Sequence, residues 1–480
     1  MRIVLVNPPF QARVRRIAQT TLGPPLGLAY LASSLRAAGH DVRIIDANAL
    51  GLAPDASART ALEQQPDLVG VTATTATIHV ASAVATAVKR LRPDVTTVVG
   101  GPHATALPSR TLAEFPAFDL VARGEAERSF PALADRLAVR DAVAARELPG
   151  FAWRNLDGSV HDTGLPDPID DLDALPVPAR DLLPMDRYRG VDSSRFSTIL
   201  AMRGCPCACV YCAVPEMFGR RMRYRSPAGV ADEMEDIHRR FGVDFLSFVD
   251  DTFTTRPEWV LALCDELVRR GLPGRLRWVC LTRADMVDVL LLRRMKQAGC
   301  VRVEMGIESG SAVGRGYLRK GLSEDDVLRG YAAAREAGLS TMGFVILNIP
   351  GETAADVERT LDLAIRADPD YLQVSFLTPY PGTALREDAL RNDWISTDDW
   401  SRYSFLNDVI LLNPSLTAEE ARALHARVTR AFWIRPRTAF NLARLVLNGT
   451  TRPGPLLRTI ALGLGAMALG LRDRGGKGHA

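Results

Sequence analysis

Short apolar runs recur along the chain at intervals that suit strands separated by helices. IVLVN (3–7) is apolar at nearly every position, the pattern of a strand covered on both faces in a parallel sheet. GLAYLASSLRAAGH (27–40) follows with helical spacing, and Gly39 is placed to stop it. DVRIIDAN (41–48), DLVGVT (67–72), TTVVGG (96–101) and FDLVARGE (118–125) repeat the strand pattern, with a helix expected around 79–91. Five strands with helices between them predict an α/β domain over 1–140, a doubly wound, Rossmann-like parallel sheet. In such sheets ligands bind outside the carboxyl ends of the strands.

The pattern breaks between 141 and 192. WRNLDGS signals a hairpin, and LPDPIDDLDALPVPARDLLP, rich in Pro and Asp, predicts a linker laid over a surface. A second alternating series then runs from 193 to 385. Its expected strands are STILAM (197–202), FLSFVD (245–250), RWVCLT (277–282), VRVEMGI (301–307), TMGFVIL (341–347) and YLQVSF (371–376). Charged amphipathic helices such as 230–241 and 325–338 separate them. Six β/α units predict a partial TIM-like barrel, again with its chemistry at the carboxyl edge of the strands. Residues 386–480 read as a mostly helical C-terminal region.

Composition narrows the function classes. The 59 Lys and Arg against 56 Asp and Glu leave a net charge of +3, and no basic block is present, so a nucleic-acid partner is not expected. MRIVLVNPPF has too short an apolar run for a signal peptide and reads as a buried first strand. Seven cysteines in such a chain suit a reducing cytoplasm, where clustered Cys serves metals or catalysis. The apolar segment 456–472 falls short of the roughly 20 residues that span a bilayer. It reads as a buried helix, with an interfacial membrane or lipid contact as the other option.

RGCPCACVYC (203–212) places Cys205, Cys207, Cys209 and Cys212 on one loop after the first barrel strand. Structural zinc, a redox pair and an iron–sulfur cluster all use such groupings. A zinc site usually needs a second Cys-x₂₋₄-Cys knuckle. The remaining Cys264, Cys280 and Cys300 are isolated and read as inert core residues. The spacing Cys-x-x-x-Cys-x-x-Cys of Cys205, Cys209 and Cys212 lets thiolates reach three corners of a cubane and leaves the fourth iron open.

On these residues the sequence resembles the radical S-adenosylmethionine enzymes. The resemblance implies that Cys205, Cys209 and Cys212 hold a 4Fe-4S cluster whose open iron takes the amino and carboxylate groups of S-adenosylmethionine. Tyr211 matches the aromatic position of the family motif, and Cys207 is a bystander. Tyr211 and, at expected strand ends, Asp250, Arg283, Glu308 and Ser309 are candidates for the S-adenosylmethionine pocket. Helix capping is the alternative role for Asp250 and for Asp251. NIPGET (348–353) and YPGT (380–383) resemble other recurring family stretches; Gly351 suits a turn there, and Glu352 a helix start.

The first domain lacks G-x-G-x-x-G and a P-loop. Its strand-end loops are small, Gly-rich or hydroxyl-bearing. The order NPP, PPLGLAYLASSLRAAGHDV, GGPH and RGEAE ahead of such a core resembles the cobalamin-binding subgroup, over roughly residues 1–385. The implied cobalamin contacts are Asn7, Pro8, Thr72, Thr74, Thr75, Gly100, Gly101, His103, Gly124 and Glu125. No Asp-x-His-x-x-Gly occurs, so cobalt is expected to lack a lower protein ligand. His103 is then expected on the nucleotide tail or the backbone, and Thr72–Thr77 facing the cobalt.

The resemblance implies a methyltransferase. A 5′-deoxyadenosyl radical takes hydrogen from an unactivated carbon of a natural-product-like small molecule, and methylcobalamin supplies the methyl group. A cobalamin-dependent cyclase or rearrangement enzyme shares every motif, and a cobalamin carrier would not need the cysteine loop. The other expected partner is an electron donor of the flavodoxin or ferredoxin type. The apolar stretch 432–449 suits a greasy substrate or a structural helix equally well.

Overall fold

The computed structural model describes residues 1–10, 23–190, 194–404, 406 and 408–447. The apolar segment 456–472 therefore lies outside the described residues, as do the last two positions of 432–449. No described helix is long and apolar enough to cross a membrane.

The first sheet has the strands β1 (Arg2–Asn7), β2 (Asp41–Asp46), β3 (Leu68–Thr72), β4 (Thr96–Gly100) and β5 (Leu120–Ala122). A hairpin of β6 (Phe151–Arg154) and β7 (Val160–Asp162) completes it. The order is β2-β1-β3-β4-β5-β6-β7. The first five strands are parallel, and helices such as Leu26–Ala37 and Ile78–Leu91 cover them. Four consecutive residues of β1, Ile3 to Val6, are buried, as the unbroken apolar run predicts. The hairpin sits in the stretch read as linker. It pairs antiparallel with β5, whose outer edge would otherwise leave backbone groups unmatched, so the sheet extends past residue 140. Expected strand 41–48 ends at Asp46, because the Asp46 carboxylate accepts from the Asn48 and Ala49 N–H groups and starts a helical turn there.

The second sheet is a partial barrel of six parallel strands. In chain order come β8 (Phe196–Ile199), the short ribbon β9 (Met202–Arg203) and β10 (Arg223–Tyr224), and then β11 (Phe245–Phe248). β12 (Arg277–Thr282), β13 (Cys300–Glu308), β14 (Ser340–Leu347) and β15 (Tyr371–Phe376) follow. The barrel order is β8-β11-β12-β13-β14-β15. STILAM does not run to 202: β8 stops at Ile199, and Met202–Arg203 pairs instead with Arg223–Tyr224. That ribbon closes the base of the cysteine loop.

Phe248, Phe253 and Trp278 fill the barrel with ring centroids 4.6–5.6 Å apart. The helix Ala418–Trp433 covers β15, where His425 stacks on Phe376 at 4.7 Å and donates from Nε2 to the Val374 carbonyl at 3.0 Å. The segment around Trp400 returns to the first domain. The Trp400 Nε1 donates to Glu114 at 2.7 Å, and the guanidiniums of Arg110 and Arg386 lie 4.5 and 4.9 Å from its ring.

Candidate active site

The cysteine loop leaves β9 through Gly204, whose φ of +94° and close approach to the Arg221 carbonyl leave no room for a side chain. The Cys205 N–H donates to the Gly219 carbonyl at 3.3 Å, and the Cys212 N–H to the Cys209 carbonyl at 3.3 Å. Val210 ties the middle of the loop to Leu318 at 3.2 Å and to Leu385 at 2.9 Å. So held, Cys205, Cys207, Cys209 and Cys212 line one cavity of about 400 Å³ at the carboxyl ends of the barrel strands. The Cys205 thiol is pushed down to about 5 by its hydrogen bond with Cys207, which is pushed up in turn. Burial raises Cys212 to about 12. Among the described residues no trio of His, Cys, Asp or Glu converges closely enough for a single metal ion. A cubane does not ask for convergence, since each thiolate meets a different iron.

The opposite rim brings several expected residues together and separates others. Glu308 lines the cavity with φ at +61°, a strained conformation for a non-glycine residue, and it is 7% exposed. Its carboxylate accepts from Lys320 Nζ at 2.5 Å and from the Tyr211 hydroxyl at 3.3 Å. Lys320 escaped the sequence reading. The signal for it was indirect: a carboxylate after an apolar strand needs a cation, and Lys320 is a nearby candidate. Gly306 carries no side chain, and a Cβ there would collide with this ion pair.

Arg283 also lines the cavity, but its fork is taken by Asp285 at 2.7 and 2.9 Å, and Nη1 reaches the Lys320 carbonyl at 2.8 Å and Cys207 Sγ at 3.4 Å. Other expectations are corrected. Asp250 does not face the cavity: it is buried behind the loop, where Oδ1 accepts from the N–H groups of Ala201 at 2.8 Å and Met202 at 2.6 Å. Neither it nor Asp251 caps a helix; the next one, Pro257–Arg269, has Arg256 at its N-cap, and Asp251 is the carboxylate on the cavity wall. Ser309 is fully buried and donates to Glu352 at 2.6 Å, as does Ser311 at the same distance, so both belong to a packed network behind β13. Glu352 is thus an acceptor rather than a helix start.

A second cavity, of about 360 Å³, lies at the carboxyl ends of the first sheet. Thr72, Gly100, Gly101, Gly124 and Glu125 line it, as expected from their loops. Mostly apolar walls and a floor of glycines fit a long, flat-sided ligand. Other expected contacts lie elsewhere. The Asn7 amide donates to Asp46 at 2.9 Å, and the Pro8 carbonyl accepts from Asn48 at 2.8 Å. Thr74 closes a local turn with Thr77. His103 is 1% exposed and meets side chains rather than a cavity or the backbone: Nδ1 is 3.3 Å from Thr75 Oγ1, and its ring meets Trp400 edge to face at 5.0 Å. Burial pushes His103 down to about 4, so it is neutral at pH 7. Glu125 is not a free ligand group either, because Arg203, Arg223 and the Ile169 N–H occupy its oxygens.

Comparison with known proteins agrees with this layout. The model of the B12 binding domain matches residues 13–134, and that of the radical SAM superfamily matches residues 199–364. An uncharacterised methyltransferase of Pyrococcus horikoshii is 36% identical over 91% of this chain and 93% of its own length. The anaerobic magnesium-protoporphyrin IX monomethyl ester cyclase of Rubrivivax gelatinosus is 29% identical over 85% of this chain and 73% of its own. The fold matches that of TsrM from Kitasatospora setae, a radical S-adenosylmethionine methyltransferase solved with cobalamin and a [4Fe-4S] cluster, with a TM-score of 0.73 at 20% identity over 91% of each chain. With a cobalamin-binding domain ahead of a barrel that carries three cysteines in the right spacing, the chain belongs to the cobalamin-dependent radical S-adenosylmethionine enzymes.

Proposed function

We propose that this chain is a methyltransferase that methylates an unactivated carbon of a small, largely apolar molecule. The observation that carries the reading is the pair of cavities meeting at the cysteine loop, in a chain whose 36% identical relative is named a methyltransferase. When bound, the cluster, S-adenosylmethionine and cobalamin supply a carbon-radical initiator and a transferable methyl group. The chain's own residues hold, orient and exclude. Cys205, Cys209 and Cys212 would hold three irons of the cluster, a fit that rests on three thiols sharing one rim of a cavity. A metal charge also stabilises thiolates that burial alone disfavours. Glu308 and Lys320 offer one charge of each sign at that rim, which complements the zwitterionic amino-acid end of S-adenosylmethionine. Phe344, Ile346, Phe376, Leu377 and Tyr380 form the far wall, apolar enough to exclude water from a radical and to seat a hydrocarbon substrate. An external one-electron donor of the flavodoxin or ferredoxin type completes the scheme.

The 29% identity to a cyclase keeps one second reading, in which no methyl group moves. Anaerobic reconstitution with iron, sulfide and cobalamin, followed by assay for 5′-deoxyadenosine and S-adenosylhomocysteine, separates the two. Both products mark methyl transfer; 5′-deoxyadenosine alone marks the cyclase class and overturns the first reading.

A further inference from the structure

The two cavities share a wall. The segment 203–218 presents its four cysteines to the barrel cavity and Arg203, Met217 and Phe218 to the cavity of the first domain. The legs of this loop are gripped from the other domain. Arg203, on the outgoing leg, donates to Glu125 at 2.9 Å and to Glu127 at 2.5 Å. Arg223, on the returning leg, donates from both terminal nitrogens to Glu125, at 2.9 Å from Nη1, and reaches the carbonyls of Ile169 at 2.7 Å and Phe218 at 2.8 Å.

The four side chains are 2–8% exposed and carry two charges of each sign. The Arg203 guanidinium also lies 5.4 Å from the Tyr30 ring and 5.6 Å from the Phe218 ring. Buried charges of this kind depend on their partners, because removing one leaves another unpaired away from water. The carboxylates come from RGEAE, immediately after β5, and both line the first cavity. Whatever fills that cavity therefore touches the groups that set the position of the loop.

We propose that Glu125 and Glu127 are positioning residues for the cysteine loop, so that cobalamin in the first cavity and the cluster on the loop stabilise one another. Linkage of this kind is reciprocal and does not depend on which reaction follows. The test is iron release from the reconstituted full-length chain to a ferrous-iron chelator, with and without hydroxocobalamin. Wild-type release slows about five-fold or more when hydroxocobalamin is bound. Glu127→Gln leaves two guanidiniums on one carboxylate. Release from it is faster in the absence of cobalamin, the protection ratio shrinks, and Glu127→Asp, which keeps the charge, restores part of both. Met217→Ala leaves the ion quartet untouched but thins the shared wall, so its protection ratio falls while release without cobalamin stays near the wild-type rate. Equal wild-type release with and without hydroxocobalamin overturns the linkage, whether or not a variant folds. A Glu127→Gln chain with wild-type release and wild-type protection overturns the positioning role. Neither outcome bears on the methylation assay.

Discussion

Replacing Asp250 by asparagine separates two properties of a carboxylate buried behind the cysteine loop. The side chain is 1% exposed, Oδ1 accepts two backbone N–H groups, and Oδ2 has no partner among the described residues. Burial pushes the group from 3.8 to about 7. The folded chain thus holds the proton more tightly than the unfolded chain. The resulting stability is complete below about pH 4 and is lost as pH rises through about 7. That gap corresponds to roughly 4 kcal/mol at most. Asparagine keeps the acceptor, cannot ionise, and puts an amide donor where Oδ2 finds no partner, at a cost of about 1–3 kcal/mol. Relative to wild type the variant is therefore at its least stable at about pH 4 and below, and the difference closes or reverses as pH rises towards about 8. Thermal unfolding midpoints of wild type and variant across that range, at matched cofactor content, read this as a pH-dependent difference between the two curves. A constant offset at every pH would refute the buried-proton argument.

Three further outcomes follow from the same geometry. Lys320→Met leaves the Glu308 carboxylate buried without its cation, a loss of about 3–5 kcal/mol locally; S-adenosylmethionine affinity by equilibrium dialysis falls at least about ten-fold with cluster content unchanged, and unaltered affinity would remove this pair from the pocket. His103, held neutral down to about 4, contributes stability that is present above its ordinary 6.5 and is lost as pH falls towards 4. His103→Gln flattens that acid limb by up to roughly 3 kcal/mol, and an unchanged limb in the unfolding curves would count against it. Trp400→Ala removes a fully buried ring and the stack of two guanidiniums on it; a loss of about 3–5 kcal/mol lowers the unfolding midpoint, and an unmoved midpoint would mean the segment around Trp400 does not hold the domains together.

The parallel strands were legible because burial on both faces imposes unbroken apolar runs, as in Ile3–Val6 and β12. The cysteine loop was legible as a unit because its four thiols are close in sequence, and the structure sets all four on one cavity. What sequence hid was long-range partnership. Two adjacent aspartates look alike along the chain, yet the twist after β11 turns Asp250 inward to the Ala201 and Met202 amides and leaves Asp251 on the cavity wall. Ser309 follows Glu308 directly, but it points behind the strand to Glu352, 43 positions away. Glu125 sat in a loop that does border the first cavity, while the guanidiniums that claim its oxygens come from 78 and 98 positions downstream. Periodicity fixes which face is buried; it does not say which charge will be waiting there.

The central claim is that Cys205, Cys209 and Cys212, with no help from Cys207, hold a four-iron cluster open at one corner. Iron content and low-temperature paramagnetic resonance of the anaerobically reconstituted chain test it directly, on wild type, Cys207→Ala and the triple alanine variant at 205, 209 and 212. Wild type and Cys207→Ala should carry about four irons per chain and a reduced-cluster signal that shifts on adding S-adenosylmethionine. The triple variant should carry neither; a triple variant that keeps both would contradict the account.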